Sequence, residues 1–266
     1  MHIVVLRSGR RCPGPCPAGP YSDAQEVPVH PGHTSVPEGD GPFPGVVVVH
    51  DAYGMTAELR RVCDHLAAQG YLVHAPSMYQ GGRCLRQTFR SLVADQGPAY
   101  DRLEAERAAL AARPDCTGKV GIMGFCLGGR FALVAAGRGM FDAAAVQYGI
   151  LPEGRQEPEV LDRMLSAPCP VVASFGARDK VVDEAEVDKL RAGLERSGVP
   201  VDLKVYPEAT HSFLAQYTGP LGMLIRIAGM THDPEASADA WERTLGFFSE
   251  HLGVAGAGEV SSGRGR

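Results

Sequence analysis

The stretch Lys119-Val-Gly-Ile-Met-Gly124-Phe-Cys126-Leu-Gly-Gly129 decides how this chain folds. Lys119 to Met123 reads as a buried strand, and Arg130 to Ala136 as helix-permissive. The G-x-C-x-G-G between them fits a nucleophile elbow, a strand-to-helix turn so sharp that no side chain fits beside the reactive residue. Cysteine stands where serine is usual, so a thiol held in a strained conformation is expected. Buried cysteines also serve as small inert hydrophobes, and these residues alone leave both readings open.

Segments further along the chain favour a reactive thiol. Pro170-Val-Val-Ala-Ser-Phe-Gly176 runs into Ala177-Arg178-Asp179, which reads as a strand, a glycine turn and an exposed acid. Val201 to Tyr206 alternates like a strand and leads through Pro207 to His211, so a histidine arrives at a strand's C-terminal end. Nucleophile, acid and base in that chain order, each just past a predicted parallel strand, match an α/β-hydrolase, whose ligands gather at C-terminal strand ends. Cys126, Asp179 and His211 are therefore the expected catalytic triad. His211 would take the thiol proton while Asp179 holds its imidazole in the required tautomer. The helix N-terminus would favour the thiolate by several tenths to about 1 kcal/mol. The backbone N–H of Leu127 would cradle the oxyanion, and a thioester on Cys126 would then be released by water.

The chain around the elbow alternates strand and helix signals, the mark of a doubly wound parallel sheet. Together with the order of the three reactive residues, this gives the expectation of a three-layer α/β-hydrolase fold with a mostly parallel central sheet and helices on both faces. Strands are expected at Val46 to His50, Tyr71 to Ala75, Val120 to Met123, Ala143 to Tyr148, Val171 to Gly176 and Val201 to Tyr206. The first is continuously apolar, as a parallel strand covered on both faces must be. Helices are expected at Ala57 to Gln69, Asp101 to Arg113, Asp183 to Arg196 and Pro234 to Leu252.

Several matched segments resemble dienelactone hydrolases, also called carboxymethylenebutenolidases. They are Val46 to Gly54, Gln69-Gly-Tyr71, Gly124 to Gly129, Tyr148-Gly149, Gly176 to Asp179, Tyr206-Pro207, His211 to Phe213 and Ala240 to Phe248, in order over about residues 44 to 252. The resemblance implies hydrolysis of a small ester or lactone through Cys126, His211 and Asp179. It adds the backbone of Ala52 as the second oxyanion donor, and Tyr53, Tyr148 and Phe213 as the substrate pocket. It also implies a proton acceptor at Asp51, where most relatives carry glutamate; the alternative is a carboxylate that pins the strand-end turn. His50 is expected to pack beside the site. An arginine that such enzymes carry just after the His-Ser-Phe segment is missing, because this stretch reads His211-Ser-Phe-Leu-Ala215. Arg83, Arg86 or Arg90 would have to supply charge in its place. Between His211 and the last helix, the apolar stretch bounded by Gly219 and Gly229 is expected to form a short helix over the pocket and make its acyl side apolar.

Composition narrows the function classes. A length of 266 residues fits one large domain, and a net charge of −5 argues against nucleic acid or an anionic membrane as main partner. Seven cysteines without disulfide-framework spacing, and no leader-like opening, point to a cytoplasmic enzyme acting on a small molecule. No cofactor is expected. Cys12, Cys16, His30 and His33 lack a recognised zinc spacing, so no metal is expected either. Residues 1–44 read as an irregular segment, 45–253 as the domain and 254–266 as a disordered tail. Either a monomer or a homodimer fits. A redox protein pairing Cys126 with Cys84 or Cys169, or a silent binding protein on the same fold, stays open.

Overall fold

The computed structural model describes residues 32–79, 88, 91, 94, 96–151, 161, 162, 165 and 168–253. Seven strands form one sheet in the spatial order β1-β3-β2-β4-β5-β6-β7. They are β1 (Gly32–Ser35), β2 (Phe43–Val49), β3 (Leu72–Pro76), β4 (Cys116–Phe125), β5 (Ala143–Gln147), β6 (Val171–Gly176) and β7 (Val201–Tyr206). All neighbours run parallel except β1, which pairs antiparallel with β3.

Side-chain alternation sorts the central strands onto two cores. Val47 and Val49 of β2 join one apolar cluster, Val46 and Val48 the other, and all four are fully buried. Helices α2 (Pro98–Ala111), α3 (Leu127–Gly137) and α4 (Glu184–Ser197) cover the first cluster, through residues such as Leu103, Phe131 and Leu190. Helices α1 (Ala57–Ala68) and α6 (Pro234–Leu252) cover the second, through Leu59, Leu66, Phe247 and Phe248. This is the expected three-layer fold.

Local chemistry sets the helix ends. The Thr56 hydroxyl accepts the Leu59 N–H at 3.2 Å to start α1, and Asp183 with Glu186 forms a capping box on α4. Asp233 and Pro234 open α6, which is pinned to the sheet by Arg243 reaching Asp202 and, at 3.0 Å, the Tyr206 hydroxyl.

The expected strands and helices are all present, with ends shifted by a few residues. One expectation fails: the segment up to residue 44 is not irregular throughout. Gly32–Ser35 is the edge strand, held by backbone pairing to β3 and by a Ser35 hydroxyl that donates to Asp64 at 2.7 Å. Backbone pairing needs no hydrophobic period, so the strand left no periodic signal among the surrounding glycines and prolines. The fifth helix, α5 (Gly219–Ile227), fills the stretch after His211.

Candidate active site

Cys126 sits between the C-terminal end of β4 and the first turn of α3, with φ 53° and ψ −113°. Its N–H donates to the Gln147 carbonyl at 3.0 Å, and its own carbonyl accepts from Ile150 at 3.1 Å, so β5 holds the strained turn from the side. The flanking glycines are obligatory. A Cβ on Gly124 would lie 2.0 Å from the Gly128 carbonyl oxygen, and one on Gly128 would lie 2.2 Å from that of Val49.

Asp179 and His211 meet across the ends of β6 and β7. The His211 Nδ1–H donates to Asp179 Oδ2 at 2.7 Å, and Oδ1 accepts from Val181 at 2.7 Å and Val182 at 3.2 Å. The Asp179 side chain is 1% exposed, so the acid that the sequence reads as exposed is buried under its own loop. Burial alone would lower the proton affinity of His211, but its hydrogen bond to Asp179 and its interaction with Cys126 outweigh this and raise the pKa to about 9. Nε2, on the far edge of the ring, is buried and makes no hydrogen bond of ordinary geometry. Cys126 nevertheless acts on the imidazole, as one of the two residues that raise its pKa.

Non-glycine residues with positive φ cluster here. Among the described residues they are Cys126, Tyr148 at 40° and Ser212 at 64°. Such strain persists only where surrounding structure enforces it, and it gathers at functional sites.

Asp51, in the turn after β2, is 6% exposed. Its Oδ1 accepts the Tyr53 N–H at 2.7 Å, and its Oδ2 accepts the Tyr217 hydroxyl. Burial raises its pKa, and these two donors together with His211 work against the rise. The turn-pinning role is therefore present in the structure. Ala52 lies in that turn, and Leu127 provides the first N–H of α3, which has no partner within the helix. His50 accepts the Met78 N–H on Nε2 at 3.0 Å, so its Nδ1 carries the proton bonded to the Asp51 carbonyl at 2.6 Å. His50 is accordingly a neutral structural residue, its pKa lowered chiefly by burial.

Tyr148 packs edge-on against His211, ring centroids 5.2 Å apart, and Tyr53 stands at the surface against Tyr217 at 5.5 Å. Phe213 corrects the pocket expected from the resemblance. It is fully buried between Tyr148 and Tyr206 and belongs to the core.

The match to the dienelactone hydrolase family model spans residues 31–252. The chain belongs to that family. A carboxymethylenebutenolidase from Rhodococcus opacus is 30% identical over 234 residues, covering 85% of this chain and 87% of its own. A dienelactone hydrolase-like promiscuous phosphotriesterase from metagenomic libraries is 28% identical with a TM-score of 0.66, over 81% of this chain and 89% of its own. A Thermogutta terrifontis esterase with butyrate bound shares the fold at 15% identity and TM-score 0.61, over 85% of this chain and 91% of its own. This family member is a hydrolase of the ester or lactone type.

Sequence reasoning missed Tyr217 and Tyr79. Tyr217 lies in the insertion after His211, where no family segment flagged it, and Tyr79 stacks edge-on over His50 at 4.6 Å. The insertion does form a helix, but Met223, Leu224 and Ile227 face outward at 59%, 64% and 72% exposure. Its buried residues are Gly222 and Ile225, which line a cavity together with Ser212, Ala215 and Tyr217. Arg83, Arg86, Arg90, Cys84, Cys12, Cys16 and His30 lie outside the described residues. His33 pairs with Asp64 at 3.3 Å, and among the described residues no cluster of metal-binding side chains occurs. None of the described helices is long and apolar enough to cross a membrane.

Proposed function

We propose that this enzyme hydrolyses a small ester or lactone through a Cys126-His211-Asp179 triad and a thioester intermediate. The observation that carries the reading is the strained Cys126 at a helix N-terminus, coupled to a His211 whose pKa is raised to about 9 by Asp179 and Cys126 together. A proton held that firmly on imidazole leaves sulfur as the nucleophile. Thiolate attack on the carbonyl carbon forms the C–S bond and moves the carbonyl electron pair onto oxygen, toward the N–H groups of Leu127 and Ala52. Collapse expels the alkoxide, which takes the proton from His211 Nε2. Neutral His211 then draws a proton from water, hydroxide attacks the thioester, and the acid leaves as Cys126 regains its charge.

Asp51 supports this cycle by holding the turn that carries Ala52. A direct proton acceptor role is less well supported, since both its oxygens are engaged by Tyr53 and Tyr217. A disulfide with Cys169 is disfavoured. Cys169 bonds to the Ala136 carbonyl at the far end of α3, which puts it about 15 Å from Cys126 at the 1.5 Å rise of a helix.

The test is p-nitrophenyl butyrate turnover by wild type and Cys126→Ala, with mass spectrometry of the quenched wild type. Loss of turnover in the variant and an acyl adduct on Cys126 are expected. Equal rates would refute the proposal.

A further inference from the structure

Behind the turn after β2 lies a cavity of about 40 Å³, lined by Asp51, Glu58, Phe125, Tyr148, Leu214 and Tyr217 among others. Tyr148 is 1% exposed, and its hydroxyl has no hydrogen-bond partner. It is therefore an unused polar group in the wall of a site that adjoins His211. The charges around it are mostly of one sign. Asp51, Glu58 and Asp179 all act on the Tyr148 hydroxyl, as does Cys126. Glu58 shares its charge with Arg61 at the surface and accepts the Gln216 N–H at 2.9 Å. His211 answers Asp179. Asp51 accepts hydrogen bonds from neutral donors only, the Tyr217 hydroxyl and the Tyr53 N–H; burial raises its pKa, while these two bonds and the nearby His211 work against the rise.

We infer that Asp51, held in place by the Tyr217 hydroxyl and the Tyr53 N–H, is a specificity residue that makes this hydrolase select uncharged acyl groups and turn away acyl groups carrying a carboxylate. The inference rests on ester hydrolysis at Cys126. A like charge brought into a partly desolvated site is repelled, whereas an uncharged acyl group of the same shape is not, and the free Tyr148 hydroxyl offers it a donor.

The experiment compares p-nitrophenyl butyrate with mono-p-nitrophenyl succinate, which differ by methyl against carboxylate at the acyl end. The buffer rate is subtracted, and kcat/KM is measured for wild type, Asp51→Asn and Glu58→Gln. Wild type is expected to favour butyrate by about tenfold or more, and Asp51→Asn to narrow that ratio by about tenfold, a size typical of one nearby charge. Glu58→Gln narrows it less, because Arg61 already offsets Glu58. A merely structural role for Asp51 would lower both rates and leave their ratio alone. Equal wild-type rates on both esters, or a ratio that neither variant moves, overturn the inference while leaving the hydrolase reading intact. If Asp51→Asn does not fold, Tyr217→Phe takes its place: removing the donor that favours the Asp51 charge should narrow the ratio, and an unmoved ratio overturns the inference. Wild-type turnover of neither ester overturns the hydrolase reading itself.

Discussion

His211 shows how one residue's surroundings reverse its default behaviour. A buried imidazole normally loses its proton readily, yet here the Asp179 hydrogen bond and the interaction with Cys126 raise its pKa to about 9. Folded His211 therefore binds its proton more tightly than the unfolded chain, whose histidine titrates near pH 6.5. The resulting stability is fully present below about pH 6.5 and is lost as pH rises through about 9, by on the order of a few kcal/mol. Denaturant unfolding between pH 6 and 10 checks this. Wild type should lose more stability than His211→Gln over that window, and Cys126→Ala should lie between them, since it removes one of the two raising causes. Identical slopes for wild type and His211→Gln would contradict the raised value. Asp179→Asn should cost turnover by several orders of magnitude with little change in KM, because the imidazole would lose the partner that sets its tautomer.

The element that matters most is the β4–α3 elbow. Its geometry requires hydrogen atoms where other residues carry Cβ, since a methyl on Gly128 would sit 2.2 Å from the Val49 carbonyl oxygen and 2.6 Å from that of His50. Gly128→Ala should therefore destabilise the fold by about 3 kcal/mol or more, because backbone on both sides must move. The loss would be read as a lower unfolding midpoint in urea; a midpoint within error of wild type would show that the turn relaxes. Insertion helix α5 sits at the other extreme. It has apolar residues facing outward, and its base supplies Tyr217 to Asp51. Tyr217→Phe should raise the Asp51 pKa further, since a donor that lowers it is gone, and should cost about 1 kcal/mol of stability near neutral pH. NMR titration of the Asp51 carboxyl would detect the change, and an unmoved or lowered pKa would rule out the contact.

Across the whole molecule, one sheet covered on both faces carries every candidate catalytic group at its C-terminal edge. The family match ends at Leu252, where α6 also ends before Gly253. A chain truncated after Gly253 should thus retain the wild-type melting temperature and turnover. A drop in either would assign a role to residues 254–266.

The fold and the candidate triad were legible in the chain because they rest on local physics. Val46 to Val49 is apolar without interruption because both faces of its strand are buried, and Gly124 to Gly129 can only make a turn that excludes side chains. The order of Cys126, Asp179 and His211 follows from strand order, so the sequence by itself determined the architecture and pointed to the candidate nucleophile. Tertiary structure alone decided what surrounds that nucleophile. Phe213 belongs to the core through its packing on Tyr148 and Tyr206, and Tyr217 reaches Asp51 from an insertion far along the chain. The short edge strand Gly32–Ser35 forms because β3 offers it an unpaired backbone edge. Contacts between residues far apart in the chain leave no period in the sequence, and pocket shape and charge are built from such contacts.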